Sequence, residues 1–280
     1  MAQYLPIVYA IVALGGLGIL FGLVLGLADK KFAVKVDERV SAVRAVVAGA
    51  NCGACGYAGC DAYAEAIVRG EAKANACTPG GAKTVKAIAE IMGVNAEALS
   101  PTVARVRCQG TCERVSPRYD YSGVPSCRAV SGISGGSSTC EFGCVGFGEC
   151  RAVCAFGAIQ MIDGIAVIDD DLCTGCGMCV DVCPRNIIKM MPKDQTIVVM
   201  CRNEAIGRIA RLQCKTACVG CKRCEKACPT ESIKVVKGVA IIDDSTCTRC
   251  GACVPVCPMH CIVNFYEREP EGEEGETLLA

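Results

Sequence analysis

Residues 214–233 read CKTACVGCKRCEKACPTESI, and residues 140–159 read CEFGCVGFGECRAVCAFGAI. The later stretch contains C-x-x-C-x-x-C-x-x-x-C-P at Cys218, Cys221, Cys224 and Cys228, the ligand run of a [4Fe–4S] ferredoxin. The earlier stretch has Phe147 where the later one has Cys221, and Ala155 where it has Pro229. The two are copies. Shifting residues 127–189 by 74 positions lays them on 201–263 without an insertion. GIAVIDD (164–170) falls on GVAIIDD (238–244), and the run Cys173, Cys176, Cys179, Cys183 falls on Cys247, Cys250, Cys253, Cys257. A match this long and gap-free indicates duplication of one structural unit.

Each unit carries two cysteine runs joined by a segment that alternates like a short strand, the arrangement of a two-cluster ferredoxin. In such folds the fourth cysteine of each run ligates the other cluster. The second unit is therefore expected to hold one cluster on Cys218, Cys221, Cys224 and Cys257, and another on Cys247, Cys250, Cys253 and Cys228. In the first unit, Cys173, Cys176, Cys179 and Cys154 make one complete set. Cys144, Cys150 and Cys183 lack a fourth partner because of Phe147, and Cys140 is the expected substitute. A three-iron [3Fe–4S] centre on three ligands is the competing reading.

The chain has 280 residues, 26 cysteines, one histidine, no tryptophan and no formal net charge. With aromatic content at 5%, a large aromatic-rich core is not expected, and small domains that bury little surface need crosslinks or metals. Spacing chooses between them. A disulfide framework scatters its cysteines, zinc takes paired C-x-x-C units, and a Rieske centre needs two histidines where only His260 is present. Consecutive C-x-x-C-x-x-C runs leave iron–sulfur chemistry, which also points to a reducing compartment.

Upstream, NCGACGYAGC (51–60) and Cys77 offer a separate set, Cys52, Cys55, Cys60 and Cys77, on a glycine-rich loop. Asp61 is expected to cap a helix over 62–69 that returns the chain toward Cys77; a zinc knot on the same four ligands is the alternative. VDERVSAVRAVVAGA (36–50) has helical spacing. Residues 5–28 contain no charge and, at 1.5 Å per residue, reach about 36 Å, enough to cross a bilayer. Lys30, Lys31 and Lys35 follow, which places the body on the cytoplasmic side. Gly18, Gly22 and Gly26 share one face of that helix and suit close helix packing.

The expected architecture is α+β. It comprises a transmembrane anchor (1–28), a small helical 4Fe–4S domain (29–95) and a connecting segment (96–126). Two tandem ferredoxin-like modules (127–200 and 201–266) and an acidic disordered tail (267–280) complete it. Five [4Fe–4S] clusters consume twenty cysteines. A sixth could draw on Cys108, Cys127, Cys201 and Cys214, unless these are buried free thiols; Cys112 and Cys261 are read as packing residues. Arg202, Arg208, Arg211, Lys215, Lys222, Arg223 and Lys226 crowd one part of the second module. They suit either docking of an acidic redox protein or compensation of the clusters' own negative charge. No nucleotide fingerprint or hydrolase nucleophile motif accompanies them, and no nucleic-acid partner is expected.

The order of parts, one apolar helix, then C-x2-C-x4-C-x16-C at 52–77, then ferredoxin modules, resembles the RnfB family of the Rnf electron-transport complexes. NCGACGYAGC (51–60) and TCTRCGACVPVCPMHCI (246–262) are similar to that family's motifs. The resemblance implies an iron–sulfur subunit, single-pass in the cell (inner) membrane. It would accept electrons from soluble ferredoxin and relay them through flavin- and cluster-bearing partner subunits toward NAD⁺, coupled to Na⁺ or H⁺ export. Two other readings stay open at this point: an iron–sulfur subunit of another membrane oxidoreductase such as a hydrogenase, and a zinc-stabilised membrane scaffold.

Overall fold

A computed structural model describes residues 5–32, 37–97 and 100–265. The acidic tail 267–280 lies outside the described residues. Helix α1 (Leu5–Phe32) runs unbroken for 28 residues, about 42 Å at 1.5 Å per residue. Its apolar side chains, Leu14, Leu17, Leu20, Phe21 and Leu25 among them, are exposed along its length. Among the described residues no helix is long and apolar enough to cross a membrane, so the spanning role of α1 stays an expectation.

A three-helix domain follows. Helix α2 (Glu38–Val46) starts at Asp37, whose carboxylate accepts the Arg39 N–H. Helix α3 (Cys60–Val68) packs with α2 and α4 (Gly81–Met92) around Val43, Tyr63, Ala64, Ile67 and Ile88. Asp61 is not the cap that the sequence suggests. It sits inside the first turn of α3 and pairs with Arg44 at 2.7 Å, while Asn51 Oδ1 accepts the Cys60 N–H at 2.9 Å. The cap is thus supplied from across the glycine loop, which local spacing does not reveal.

The rest is built from short elements. Strand β1 (Thr102–Val106) and helices α5 (Cys127–Ser131) and α6 (Glu149–Ala152) lead to the hairpin β2 (Ile159–Ile162) and β3 (Ile165–Ile168). Helix α7 (Met178–Val182) and strand β4 (Ile188–Pro192) complete the first module. The second contains β5 (Ile197–Val199), α8 (Arg208–Gln213), α9 (Arg223–Ala227), the hairpin β6 (Ile233–Val236) and β7 (Val239–Ile242), and β8 (Ile262–Asn264). The hairpins lie 74 residues apart, and each turns on a two-residue loop with positive φ at both positions: Asp163–Gly164 and Lys237–Gly238. Such loops match the twist of the flanking strands.

Sheet membership does not follow the repeat boundaries. β1, from the segment expected only to connect, pairs antiparallel with β4, and β5 pairs with β8. Each module thus receives its outer strand from the chain before it. Arg105 on β1 is 1% exposed. It pairs with Asp170 at 2.5 Å, donates to Gln195 O and lies 4.4 Å from the Phe265 ring centroid. Lys189 and Asp244 form a further tie between the modules at 2.8 Å. The two modules have separate cores, one around Ile159, Ile165 and Ile188, the other around Ile233, Val239 and Ile262.

Candidate metal centres

All 26 cysteines are free thiols, and their arrangement is what the short elements position. Four small cavities, two in each module, are walled by cysteines, mainly those of the ferredoxin runs, four at three of them and five, Cys261 included, at the one around Cys218, Cys221, Cys224 and Cys257. In the first module Cys154, Cys173, Cys176 and Cys179 surround one. In the second, Cys228, Cys247, Cys250 and Cys253 surround another, and Cys218, Cys221, Cys224 and Cys257 a third. In the three-helix domain, Cys55, Cys60 and Cys77 share one core, with Cys52 on the same glycine loop. Gly53 and Gly56 have φ of 73° and 84° there, which turns the loop back on itself.

The fourth cavity, that of the run in which Phe147 replaces a cysteine, departs from the expectation. Cys144, Cys150 and Cys183 wall it, but the fourth thiol is Cys127, not Cys140. The reason is tertiary. Ser126 caps α5 by accepting the Ala129 N–H and donates to Glu149 at 2.5 Å, so the start of α5 is tied to the helix that carries Cys150. Phe147 itself packs edge-on against Tyr121 with centroids 5.7 Å apart.

Cys140 is drawn the other way. Thr139 donates to Gln213 O at 2.9 Å, which holds this part of the first module against the second. There Cys140, Cys108, Cys201 and Cys214 line the largest of the cavities. The sulfurs face bare backbone: a Cβ added to Gly110 would stand 3.5 Å from Cys108 Sγ and 3.9 Å from Cys214 Sγ, and one on Gly143 3.5 Å from Cys140 Sγ and 3.7 Å from Cys108 Sγ. Of the four cysteines that the sequence offered either for a sixth set or as buried free thiols, three line this cavity, with Cys140 in place of Cys127. Asn203, 1% exposed, donates to Gln213 Oε1 at 2.8 Å and to Cys140 Sγ at 3.7 Å.

Two features of these sets suit iron–sulfur clusters. Main-chain N–H groups are aimed at sulfur: Ala104 to Cys173 and Arg249 to Cys247 at 3.4 Å, Gly110 to Cys108 at 3.3 Å and Cys218 to Cys201 at 3.3 Å. Such bonds favour thiolate over thiol. Among the described residues no three His, Cys, Asp or Glu side chains are gathered to hold a metal ion. Finally, burial pushes Cys108 and Cys179 up to about 12 and Cys150, Cys201, Cys224 and Cys253 up to about 11. Sulfur this costly to ionise becomes thiolate only with a cation beside it. Cys257 differs. A hydrogen bond from Cys261, at 3.5 Å between sulfurs, holds it down to about 5, and the same neighbour lowers Cys218.

The six sets lie near one another in series: two of the links are hydrogen bonds, and the other three sets of neighbours are close enough for their charges to be felt. The thiol of Cys176 is raised by burial and by the charge of Cys52, and that of Cys179 by burial and by its neighbours, Cys150 of the next set among them. Cys144 donates its N–H to Cys108 Sγ at 3.5 Å, and Cys218 donates to Cys201 Sγ. Cys253, raised mainly by burial, also feels Cys224. The order therefore runs from the three-helix domain through the first module and the inter-module set to the second module. Cys112 also lines the inter-module cavity, and Cys261 the cavity of Cys218, Cys221, Cys224 and Cys257, each as a cysteine beyond the four of the set.

A row of thiolate sets on tandem two-cluster modules defines an iron–sulfur electron carrier. Comparison with known proteins agrees: residues 48–79 match the FeS family, described for an Fe–S cluster, residues 166–189 a 4Fe-4S binding domain, and residues 217–262 a 4Fe-4S dicluster domain. The chain is 49% identical to the B component of the Na(+)-translocating ferredoxin:NAD(+) oxidoreductase complex of Acetobacterium woodii, over 91% of this chain and 77% of the relative. It is 38% identical to the B component of the proton-translocating ferredoxin:NAD(+) oxidoreductase complex of Clostridium ljungdahlii, over 90% of each chain. It is also 38% identical to the B component of the ion-translocating oxidoreductase complex of Methanosarcina acetivorans, over 91% of this chain and 97% of the relative. The chain belongs to this family, the RnfB proteins of Rnf-type complexes. It is an iron–sulfur subunit that works with the other subunits of the complex.

Proposed function

We propose that the chain holds six [4Fe–4S] clusters and carries electrons along them from soluble reduced ferredoxin toward NAD⁺ reduction, coupled in the complex to Na⁺ or H⁺ export. Each cluster supplies one-electron chemistry without making or breaking a bond. The residues of the chain supply position and environment. In spatial order, starting from the three-helix domain, the ligand sets are Cys52, Cys55, Cys60 and Cys77; Cys154, Cys173, Cys176 and Cys179; and Cys127, Cys144, Cys150 and Cys183. Then come Cys108, Cys140, Cys201 and Cys214; Cys218, Cys221, Cys224 and Cys257; and Cys228, Cys247, Cys250 and Cys253. With Cys127 as the fourth ligand, the centre at Phe147 is a four-iron one.

Electrons arrive at the second module. Cys221 and Cys250 are exposed there, and an apolar strip of Ile206, Ile209 and Leu212 is exposed beside Arg208 and Arg211, a surface suited to an acidic protein that must bind and leave. They depart from the three-helix domain, which follows α1 directly. α1 is the single-pass anchor, with the body on the cytoplasmic side. The observation that supports this reading is the grouping of the cysteines, around five cavities and in the core of the three-helix domain.

Iron and acid-labile sulfide per chain, measured on the anaerobically prepared full chain in detergent, test it. About 24 irons are expected. About 20 would remove the inter-module centre, and zinc in place of iron would overturn the reading altogether.

A further inference from the structure

Each of the four ferredoxin runs ends in a cysteine followed, four residues on, by a buried residue: Ala158, Ile187, Ser232 and Cys261, all 4% exposed or less. At three of these positions the side chain cannot approach a ligand with a thiol. Cys261 does. Its sulfur lies 3.5 Å from Cys257 Sγ. Its repeat partner, Ile187, occupies the corresponding wall of the cavity around Cys144, Cys150 and Cys183. Cys261 is held there by its own main chain, whose carbonyl accepts the Met200 N–H at 2.7 Å immediately before β8.

We propose that Cys261 is a positioning residue for the cluster on Cys218, Cys221, Cys224 and Cys257: it stays protonated, donates S–H to the Cys257 sulfur, and sets that cluster at a higher potential than its repeat counterpart. The inference rests on the ligand set proposed above. Four cysteines of regular spacing already complete that set, so Cys261 is left as thiol, and a metal-bound thiolate can only accept. On one-electron reduction the sulfur ligands gain negative charge, no bond breaks, and the proton remains on Cys261. A donor at this sulfur favours the reduced form. In the first module Ile187 offers no such donor. One ferredoxin unit, duplicated, thereby yields two centres of unequal potential.

The test is a potentiometric titration followed by electron paramagnetic resonance on the anaerobic full chain, with iron counted in the same samples. Cys261→Ala should keep the iron content of the wild type and move one midpoint to lower potential. Cys261→Ser, which retains a donor, should lie closer to the wild type. Ile187→Cys should raise the midpoint of one first-module centre. The proposal is overturned if Cys261→Ala loses about four irons, which would make Cys261 a ligand. It is equally overturned if no midpoint moves in Cys261→Ala, or if none rises in Ile187→Cys should the alanine variant not fold. A wild-type chain short of iron at this centre would instead refute the ligand set.

Discussion

Cys127 and Cys140 show how much one side chain's surroundings decide. Both precede the same cysteine run of the first module, and both have repeat partners, Cys201 and Cys214. Yet Cys127 turns inward to the Cys144, Cys150 and Cys183 cavity while Cys140 joins Cys201 and Cys214 between the modules. Cys127→Ser and Cys140→Ser should each cost about four irons, but from different centres. Resonance spectra of the two variants should therefore lose different components; identical losses would mean that the two cysteines share a site. Asn203 belongs at this scale as well. Its amide joins Gln213, Cys140 and the Ala205 N–H inside the interface. Asn203→Ala strands those partners and should cost roughly 1–3 kcal/mol, the ordinary penalty for buried polar groups left unpaired. Thermal unfolding of the iron-loaded chain would read this as a lower midpoint.

Among the elements, the hairpin turns and the cluster loops constrain each other. Gly146 has φ of 81°, and a Cβ there would stand 2.8 Å from Gly164 O; Gly220, 74 residues on, has φ of 67° and would meet Gly238 O at 3.1 Å. Each glycine lets a cysteine loop lie flat on a hairpin turn. Gly157 has φ of 66° with nothing within 4 Å, so Gly157→Ala carries only the backbone cost of roughly 1–2 kcal/mol. Gly146→Ala adds a clash with rigid backbone, and should destabilise more and lower iron occupancy at Cys144. Equal effects of the two substitutions on melting and iron content would show that the close approach has no consequence. Of each hairpin, only the second strand was legible, as the alternation in IAVID. The pairing of β1 with β4 was not, because a partner 86 residues away leaves no local periodicity.

At the scale of the molecule, the body is a string of small cores joined by cysteine sets. The clusters stand in for the apolar mass that so short a set of strands cannot bury. Removing iron with a chelator should abolish cooperative unfolding of the body. Because thiols held at about 11 to 12 must lose protons to bind iron, binding weakens as pH falls, so chelators should strip iron faster at pH 6 than at pH 8. A pH-independent rate would argue that protonation does not compete. Docking is a second whole-molecule property. Arg208→Glu with Arg211→Glu should slow reduction by ferredoxin, and added salt should shrink the difference, since exposed charges are screened over about 10 Å at 0.1 M. Stopped-flow absorbance would follow both, and equal rates at low salt would move the docking face elsewhere.

What the sequence determined by itself was whatever chain geometry settles over a few residues. C-x-x-C-x-x-C can only converge locally, so iron–sulfur chemistry, the duplicated two-cluster unit and the ordering of domains were all readable before any fold was seen. The 74-residue register also predicted that the strand read at IAVID recurs in the second unit. The tertiary structure decided every assignment that joins distant segments. It put Cys108 on one cavity with Cys140, Cys201 and Cys214, brought Cys127 to the cavity of Cys144, Cys150 and Cys183, and set Cys261 against Cys257. The physical reason is that a thiol reaches only a few ångströms. Two cysteines three residues apart are within that reach in almost any turn, whereas Cys108 and Cys214 meet only because the two modules pack face to face.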